Sequence, residues 1–165
     1  MPMLDLFVPD GALAEDREKE LVSKLTDILL RWEGADPANA FARSIAWTWV
    51  HRPATVFTGG ERSDVPRYKV VATVPEGQLD DERRAGLVKE ITEAVLDAED
   101  GAHPRDVFRV WVFTNEVPDG SWGGAGRIFR LADIAGFVLS DPEAGRLHAK
   151  KRLVAARAER QALPD

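Results

Sequence analysis

The chain has 165 residues, 44% of them apolar and 30% charged, which is the make-up of one globular domain or two small fused units. A net charge of −6 speaks against nucleic acid as partner. The absence of cysteine excludes disulfides, thiolate catalysis and Cys-ligated zinc, and three scattered histidines do not make a metal cluster. With no long apolar run and no basic-then-apolar leader, the sequence predicts a cytoplasmic protein that needs neither membrane nor cofactor.

The first predicted element is a strand over MLDLFV, preceded by Pro2. Proline has no backbone N–H and gives a strand nothing, but at position 2 it becomes the chain terminus once Met1 is removed. Its nitrogen is then a free secondary amine. Val8-Pro9-Asp10-Gly11 reads as the turn that stops this strand. Leu21, Leu25, Ile28, Leu29 and Trp32 then form one helical stripe, ended by Gly34. The β-branched and aromatic run RSIAWTWV, opened by Arg43, predicts a second strand, followed by His51, Arg52 and a glycine hairpin at TVFTGG.

From Tyr68 the series repeats. YKVVATV predicts a strand, Val74-Pro75-Glu76-Gly77 a turn, and Leu87, Ile91, Ala94, Val95 and Ala98 a helical stripe ended by Gly101. Asp80-Asp81-Glu82 put negative charge at the helix start, where the macrodipole favours it. RVWVFTNE, opened by Arg109, is the next strand, and EVPDGSWGGAGRIF a Gly-rich hairpin that needs positive φ angles. Val8 and Val74, Leu21 and Leu87, Arg43 and Arg109, Gly60 and Gly126 all share an offset of 66, the mark of an internal duplication.

Each half is therefore β-α-β, its two strands parallel and joined by a right-handed crossover. Two halves predict a four-stranded α/β sheet with two helices on one face, in a domain over 1–138 built of repeats 2–60 and 68–126. The other face carries Ile45, Trp47, Trp49, Trp111 and Phe113, a bare apolar patch best satisfied by a symmetric ring of copies. Residues 139–165 form a helical tail. Over 141–165 it holds six basic and four acidic side chains with Leu147, Val154 and Ala158 as its apolar stripe, which predicts a solvated helix or a strap on a neighbouring subunit. GGAGRI has neither dinucleotide-binding nor P-loop spacing, and there is no Gly-x-Ser-x-Gly elbow.

Met-Pro at the start of a strand, a βαβ unit with a Gly turn before its helix, and the Gly-rich hairpin after the second strand together resemble the tautomerase superfamily, of which 4-oxalocrotonate tautomerase is the simplest type. The fusion of two units, over residues 2–138, looks most like the cis-3-chloroacrylic acid dehalogenase and malonate semialdehyde decarboxylase branches. The resemblance implies a homotrimer with one site per chain, because the position matching Pro2 in the second half is Tyr68, inside the chain. It implies catalysis by the Pro2 amine on a small enol or 2-keto acid: as a base in tautomerases, as a cationic acid in a hydratase, lyase or decarboxylase.

A terminal amine titrates near 7.7–8.0, and burial lowers that value, so either role fits neutral pH. An arginine could clamp the carboxylate. The resemblance points to Arg127, at the end of the Gly-rich hairpin where the fused branches have an arginine, and to Trp122, where the simple tautomerases have an aromatic wall; Arg43, Arg109, Arg52 and His51, at the ends of the second strands, are further candidates.

Against the dehalogenase branch, the turn VPEGQLDD lacks its arginine pair, SWGGAGR lacks its glutamate and TDILLRWEG lacks its histidine. The early helix arginine of the simple tautomerases is displaced too, with Ala12-Leu13 there and Arg17 the nearest. A βαββαβ order also occurs in ferredoxin-like binding modules, which keeps a non-catalytic ligand-binding role as the alternative.

Overall fold

A computed structural model describes residues 2–162. Strands β1 (Met3–Phe7), β2 (Trp47–His51), β5 (Tyr68–Pro75) and β6 (Val110–Val117) form one sheet in the order β2-β1-β5-β6. The outer pairs β1–β2 and β5–β6 are parallel, and the central pair β1–β5 is antiparallel. Helices α1 (Glu15–Glu33) and α3 (Asp81–Ala98) are the two crossovers. The expected tandem βαβ architecture is thus the observed one, an α+β fold in two layers.

Alternation along the strands decides the layers. Leu4, Leu6, Val70, Ala72 and Val74 point to the helices and are buried with Leu21, Leu25, Ile28, Leu87, Ile91 and Val95. Each of the leucine, isoleucine and valine side chains contributes roughly 1.5–3 kcal/mol by leaving water. The helices end as their sequences demand. Gly34 adopts φ +88°, its N–H reaching Arg31 O at 3.0 Å while Ala35 N–H reaches Leu30 O at 2.9 Å. Asp80 caps α3 by accepting from Arg83 N–H at 2.9 Å. Helix α3 stops earlier than Gly101 suggests, with Glu99 as its cap, because Asp100 and Gly101 both turn to positive φ.

The other face of the sheet is open. Trp47, Trp49, Trp111 and Phe113 are 62%, 55%, 64% and 48% exposed. Ile45 is not with them, since the chain makes a short helix α2 (Ala40–Ser44) before β2 and Ile45 caps it. That helix also corrects the repeat. Lys69 lies 66 residues after Met3, yet it pairs with Trp111, only 64 after Met3's partner Trp47. The second strands have slipped by two residues relative to the repeat, so Arg43 sits on α2 and is no counterpart of Arg109.

By the hairpins the offset of 66 has returned. β3 (Phe57–Thr58) and β4 (Glu61–Arg62) turn at Gly59-Gly60; β7 (Trp122–Gly124) and β8 (Arg127–Phe129) turn at Ala125-Gly126. All four turn residues have positive φ, which is the type I′ geometry that hairpin twist favours.

Two further helices close the chain, α4 (Leu131–Leu139) and α5 (Pro142–Ala162). The tail packs against its own chain along one face. Leu147 and Val154 are exposed, and the inward face is Gly145, Ala149 and Ala156. The reason is close approach: a Cβ on Gly145 would lie 2.4 Å from Gly136 N of α4. Arg152 donates to Gly77 O at 2.7 Å and to Gln78 O at 3.0 Å, and Arg160 pairs with Glu76 at 2.8 Å. No helix among the described residues is long and apolar enough to cross a membrane.

Candidate active site at the start of the first strand

Pro2 is buried where β1 begins, its carbonyl accepting from Trp47 N–H at 3.3 Å. It lines a cavity of about 660 Å³. Helix α2 supplies Phe41 and Ser44 to this cavity, followed by Ile45; the second unit's hairpin supplies Trp122, Gly123, Gly124, Ala125, Arg127 and Phe129; and α4 supplies Ile134 and Phe137. Asn39 fixes α2 by accepting from Ala42 N–H at 2.9 Å and donating to Val138 O at 3.3 Å. Asp119 fixes the hairpin's exit, accepting from Leu131 N–H at 2.8 Å and pairing with Arg130 at 2.9 Å. Phe137 meets Phe41 and Phe129 with ring centroids 6.1 Å apart in each pair, so the aromatic wall packs on itself.

Arg127 is the one charged side chain among the described residues lining this cavity. Its guanidinium lies 4.6 Å from the centroid of Phe129 and takes part in no salt bridge among the described residues. A planar cation stacked on a ring keeps its fork of N–H donors available for a carboxylate. The arrangement can therefore hold an apolar acid by its carboxylate and press the rest against aromatic walls, next to the first residue of the strand.

Of the seven residues singled out from the sequence, three meet here: Pro2, Arg127 and Trp122. The other four are held elsewhere in the chain. Arg43 pairs with Asp27 and donates to Pro37 O at 3.2 Å. His51 and Arg52 lie at the far end of β2, about 13 Å from Trp47 at the strand rise of ~3.3 Å per residue. There His51 Nε2 meets Asp5 at 2.6 Å and stacks on Phe7 at 4.2 Å, and Arg52 binds Glu18 at 2.6 Å. Arg109 is 2% exposed and forms a bidentate pair with Glu99 while donating to Pro66 O at 3.1 Å and Pro104 O at 2.9 Å. Every one of these charges has an internal partner that accounts for its place.

Sequence reading missed the α2 residues and the Phe129–Phe137 wall, because a five-residue helix leaves no periodicity. It also missed Glu33. This carboxyl is 5% exposed, its Oε1 has no hydrogen-bond partner among the described residues, and burial pushes its pKa up to about 7. One signal was present: an acid in the last helical turn, directly before Gly34, opposes the helix dipole.

A family model described as "Tautomerase enzyme" matches residues 71–132. No curated protein matches the chain in sequence. Among solved structures, that of Pt0534 inactivated by 2-oxo-3-pentynoate aligns with TM-score 0.62 and 19% identity over 76% of this chain and 94% of that one. The asymmetric trimer of the fused 4-OT F6 aligns with TM-score 0.62 and 18% identity over 76% and 94%. N1, a member of the cis-3-chloroacrylic acid dehalogenase family, aligns with TM-score 0.62 and 16% identity over 77% and 82%. Residues 71–132 thus match the tautomerase family model, and the chain as a whole shares the fold of these solved structures.

Proposed function

We propose that this chain is an enzyme in which Pro2, freed by loss of Met1, carries a proton between carbon and oxygen positions of a small enol or 2-oxo monocarboxylic acid. Arg127 holds the carboxylate, and Trp122, Phe41 and Phe137 surround the remainder of the substrate. The observation that carries this reading is a buried Pro2 on a mostly apolar cavity in which Arg127 is the one charged side chain among the described lining residues. Burial disfavours the ammonium form, and the arginine does so again by like charge, so the amine is drawn down toward the working pH. A lone cation matches one carboxylate, which favours a monoacid with an apolar or aromatic substituent over a diacid. The inactivation of Pt0534 by a 2-oxo acid supports the substrate class.

The bare tryptophan face supports a homotrimer of the kind found in the fused 4-OT proteins, whose F6 member is an asymmetric trimer. Trp49→Asp is expected to give monomers in sedimentation equilibrium; an unchanged assembly would remove that face from the interface.

The direct test is a spectroscopic ketonisation assay with phenylenolpyruvate and 2-hydroxymuconate, on Met-free protein verified by mass. Loss of the rate in Pro2→Ala, with phenylenolpyruvate the better substrate, is the expected result. Equal rates in the two proteins would overturn the proton-carrier role and favour a non-catalytic ligand-binding module.

A further inference from the structure

Behind the main cavity lies a second one of about 80 Å³, and Pro2 lines both. Its remaining walls come from five places. Helix α1 and its cap give Leu30, Glu33, Gly34 and Ala35, α2 and its cap give Ala42 and Ile45, and the loop before α3 gives Gln78. Helix α4 contributes only apolar residues, and α5 gives His148.

Within that small space the Glu33 carboxyl is the buried group whose Oε1 has no partner among the described residues. An unpartnered buried carboxyl is costly, by several kcal/mol if ionised, and a core position would hold leucine more cheaply. Among the described residues, the charged and titratable groups beside it are Arg83 and His148. Arg83 of α3 spends its guanidinium on the backbone carbonyls of Glu33 at 3.4 Å and Gln78 at 3.1 Å. His148 Nε2 is engaged with Gln78 Oε1 at 3.1 Å, and its pKa is lowered by burial and by Arg152, Arg83 and Lys151. Neither bonds the orphaned oxygen, and Pro2 lines the same cavity.

The chemistry of a terminal proline gives that oxygen a use. The cationic form of a secondary amine carries two N–H protons. One is exchanged with substrate in the main cavity. The other needs an acceptor once the amine is buried, because a half-solvated ammonium in an apolar wall is unfavourable.

Resting on the reading that Pro2 is the proton carrier, we infer that Glu33 is its internal partner: a positioning residue that accepts the second N–H of the pyrrolidinium from the side away from substrate. Ionised Glu33 stabilises the protonated amine and aims its remaining N–H toward the main cavity. Protonated Glu33 releases that hold and favours the neutral amine, the form that removes a proton from carbon. Two groups joined by such a hydrogen bond share their titration, so the pair behaves as one acid–base unit with two macroscopic steps.

The test is an NMR titration of protein labelled with ¹⁵N-proline and ¹³Cδ-glutamate, with Met1 loss verified by mass. In the wild type, Pro2 ¹⁵N and Glu33 ¹³Cδ should each show both inflections at the same two pH values. In Glu33→Gln, Pro2 should titrate in one step, its pKa lower by about one unit or more, which is a tenfold shift in the amine's equilibrium. Glu33→Asp should restore part of that shift. Single, unrelated inflections in the wild type, or an unmoved Pro2 in a folded Glu33→Gln, would overturn the inference. Activity separates this from the parent reading: an inactive Pro2→Ala with an unmoved Pro2 in Glu33→Gln rejects Glu33 alone, whereas a fully active Pro2→Ala rejects the proton carrier and its partner together.

Discussion

The two ends of the sheet are twins that have diverged. At one end the start of β1 faces the second unit's hairpin across the cavity of Pro2. At the other, the start of β5 faces the first unit's hairpin across a cavity of about 390 Å³ lined by Phe7, Phe57, Gly59, Tyr68, Phe108 and Trp111. Repeat positions correspond: Pro2 to Tyr68, Arg127 to Glu61. The first end has Pro2 and an arginine, Arg127, that takes part in no salt bridge among the described residues. The second has a buried Tyr68 whose hydroxyl donates to Glu99 at 2.8 Å, with Arg109 closing the triad. Burial opposes ionisation of Glu99, but Arg109 and Tyr68 outweigh it and hold the carboxyl below its ordinary range. On the proposed reading, this scaffold carries its acid–base chemistry at one end, while the matching position at the other is a structural anchor.

That contrast can be broken at its strongest point first. Pro2→Ala is expected to lower kcat/KM on an enol acid by roughly 10²–10⁴-fold, the usual worth of a positioned acid–base group. Tyr68→Phe should leave the rate unchanged, so a rate loss in both would make the ends functionally alike. Next, Arg109→Leu should cost about 3–5 kcal/mol in urea unfolding, since it strands the Glu99 charge in the core. A cost below about 1 kcal/mol would mean that the second end is no anchor.

Glu33 gives a pH-dependent comparison with Glu99. Its folded pKa, about 7, lies above its unfolded one near 4.5, so the native state binds more protons between these values. Stability is therefore full below about pH 4.5 and falls as pH rises to about 7, by on the order of 3 kcal/mol. Glu33→Gln should flatten that slope, measured by urea midpoints from pH 4.5 to 8. Glu99, shifted the other way, should lose its stabilising share as pH falls through its low folded pKa.

The hairpins supply the smaller effects. Arg127→Ala should raise KM and lower kcat/KM by about 10–100-fold, in line with a lost charge-assisted pair, and Glu61→Ala should do neither. Smallest is the turn itself. Ala125 sits at φ +47° where its twin is Gly59 at +62°. Ala125→Gly is expected to stabilise by about 1 kcal/mol and Gly59→Ala to destabilise by a similar amount, read as shifts in Tm.

Much of this fold was legible because its signals are periodic. The stripes Leu21–Trp32 and Leu87–Ala98, the alternation in YKVVATV and the glycine turns at a fixed offset each encode local geometry. Pro2 stood out as a proline just ahead of a strand, whereas Arg127 and Trp122 were picked out by the resemblance of the Gly-rich hairpin to that of the tautomerases. What stayed hidden is contact across the chain. Arg43 and Arg109 look alike in sequence, and only the two-residue slip around α2 separates them. The tail misled because Leu147 and Val154 are the conspicuous apolar residues, whereas a helix that must approach Gly136 closely uses Gly145, Ala149 and Ala156. Glu33 was invisible as a partner because nothing in sequence says that the end of α1 meets the start of β1.

The covalent joint between the units carries a lasting consequence. The nitrogen of Tyr68, the position matching Pro2, is an amide with Arg67 and has no basic lone pair. On the proposed reading, two matching positions therefore share one amine by valence alone, whatever their side chains. A circular permutant that opens the chain before residue 68 would move the terminus to the other end of the sheet, transplanting a titrating nitrogen by rearranging gene order, with the native side chains of both cavities left in place.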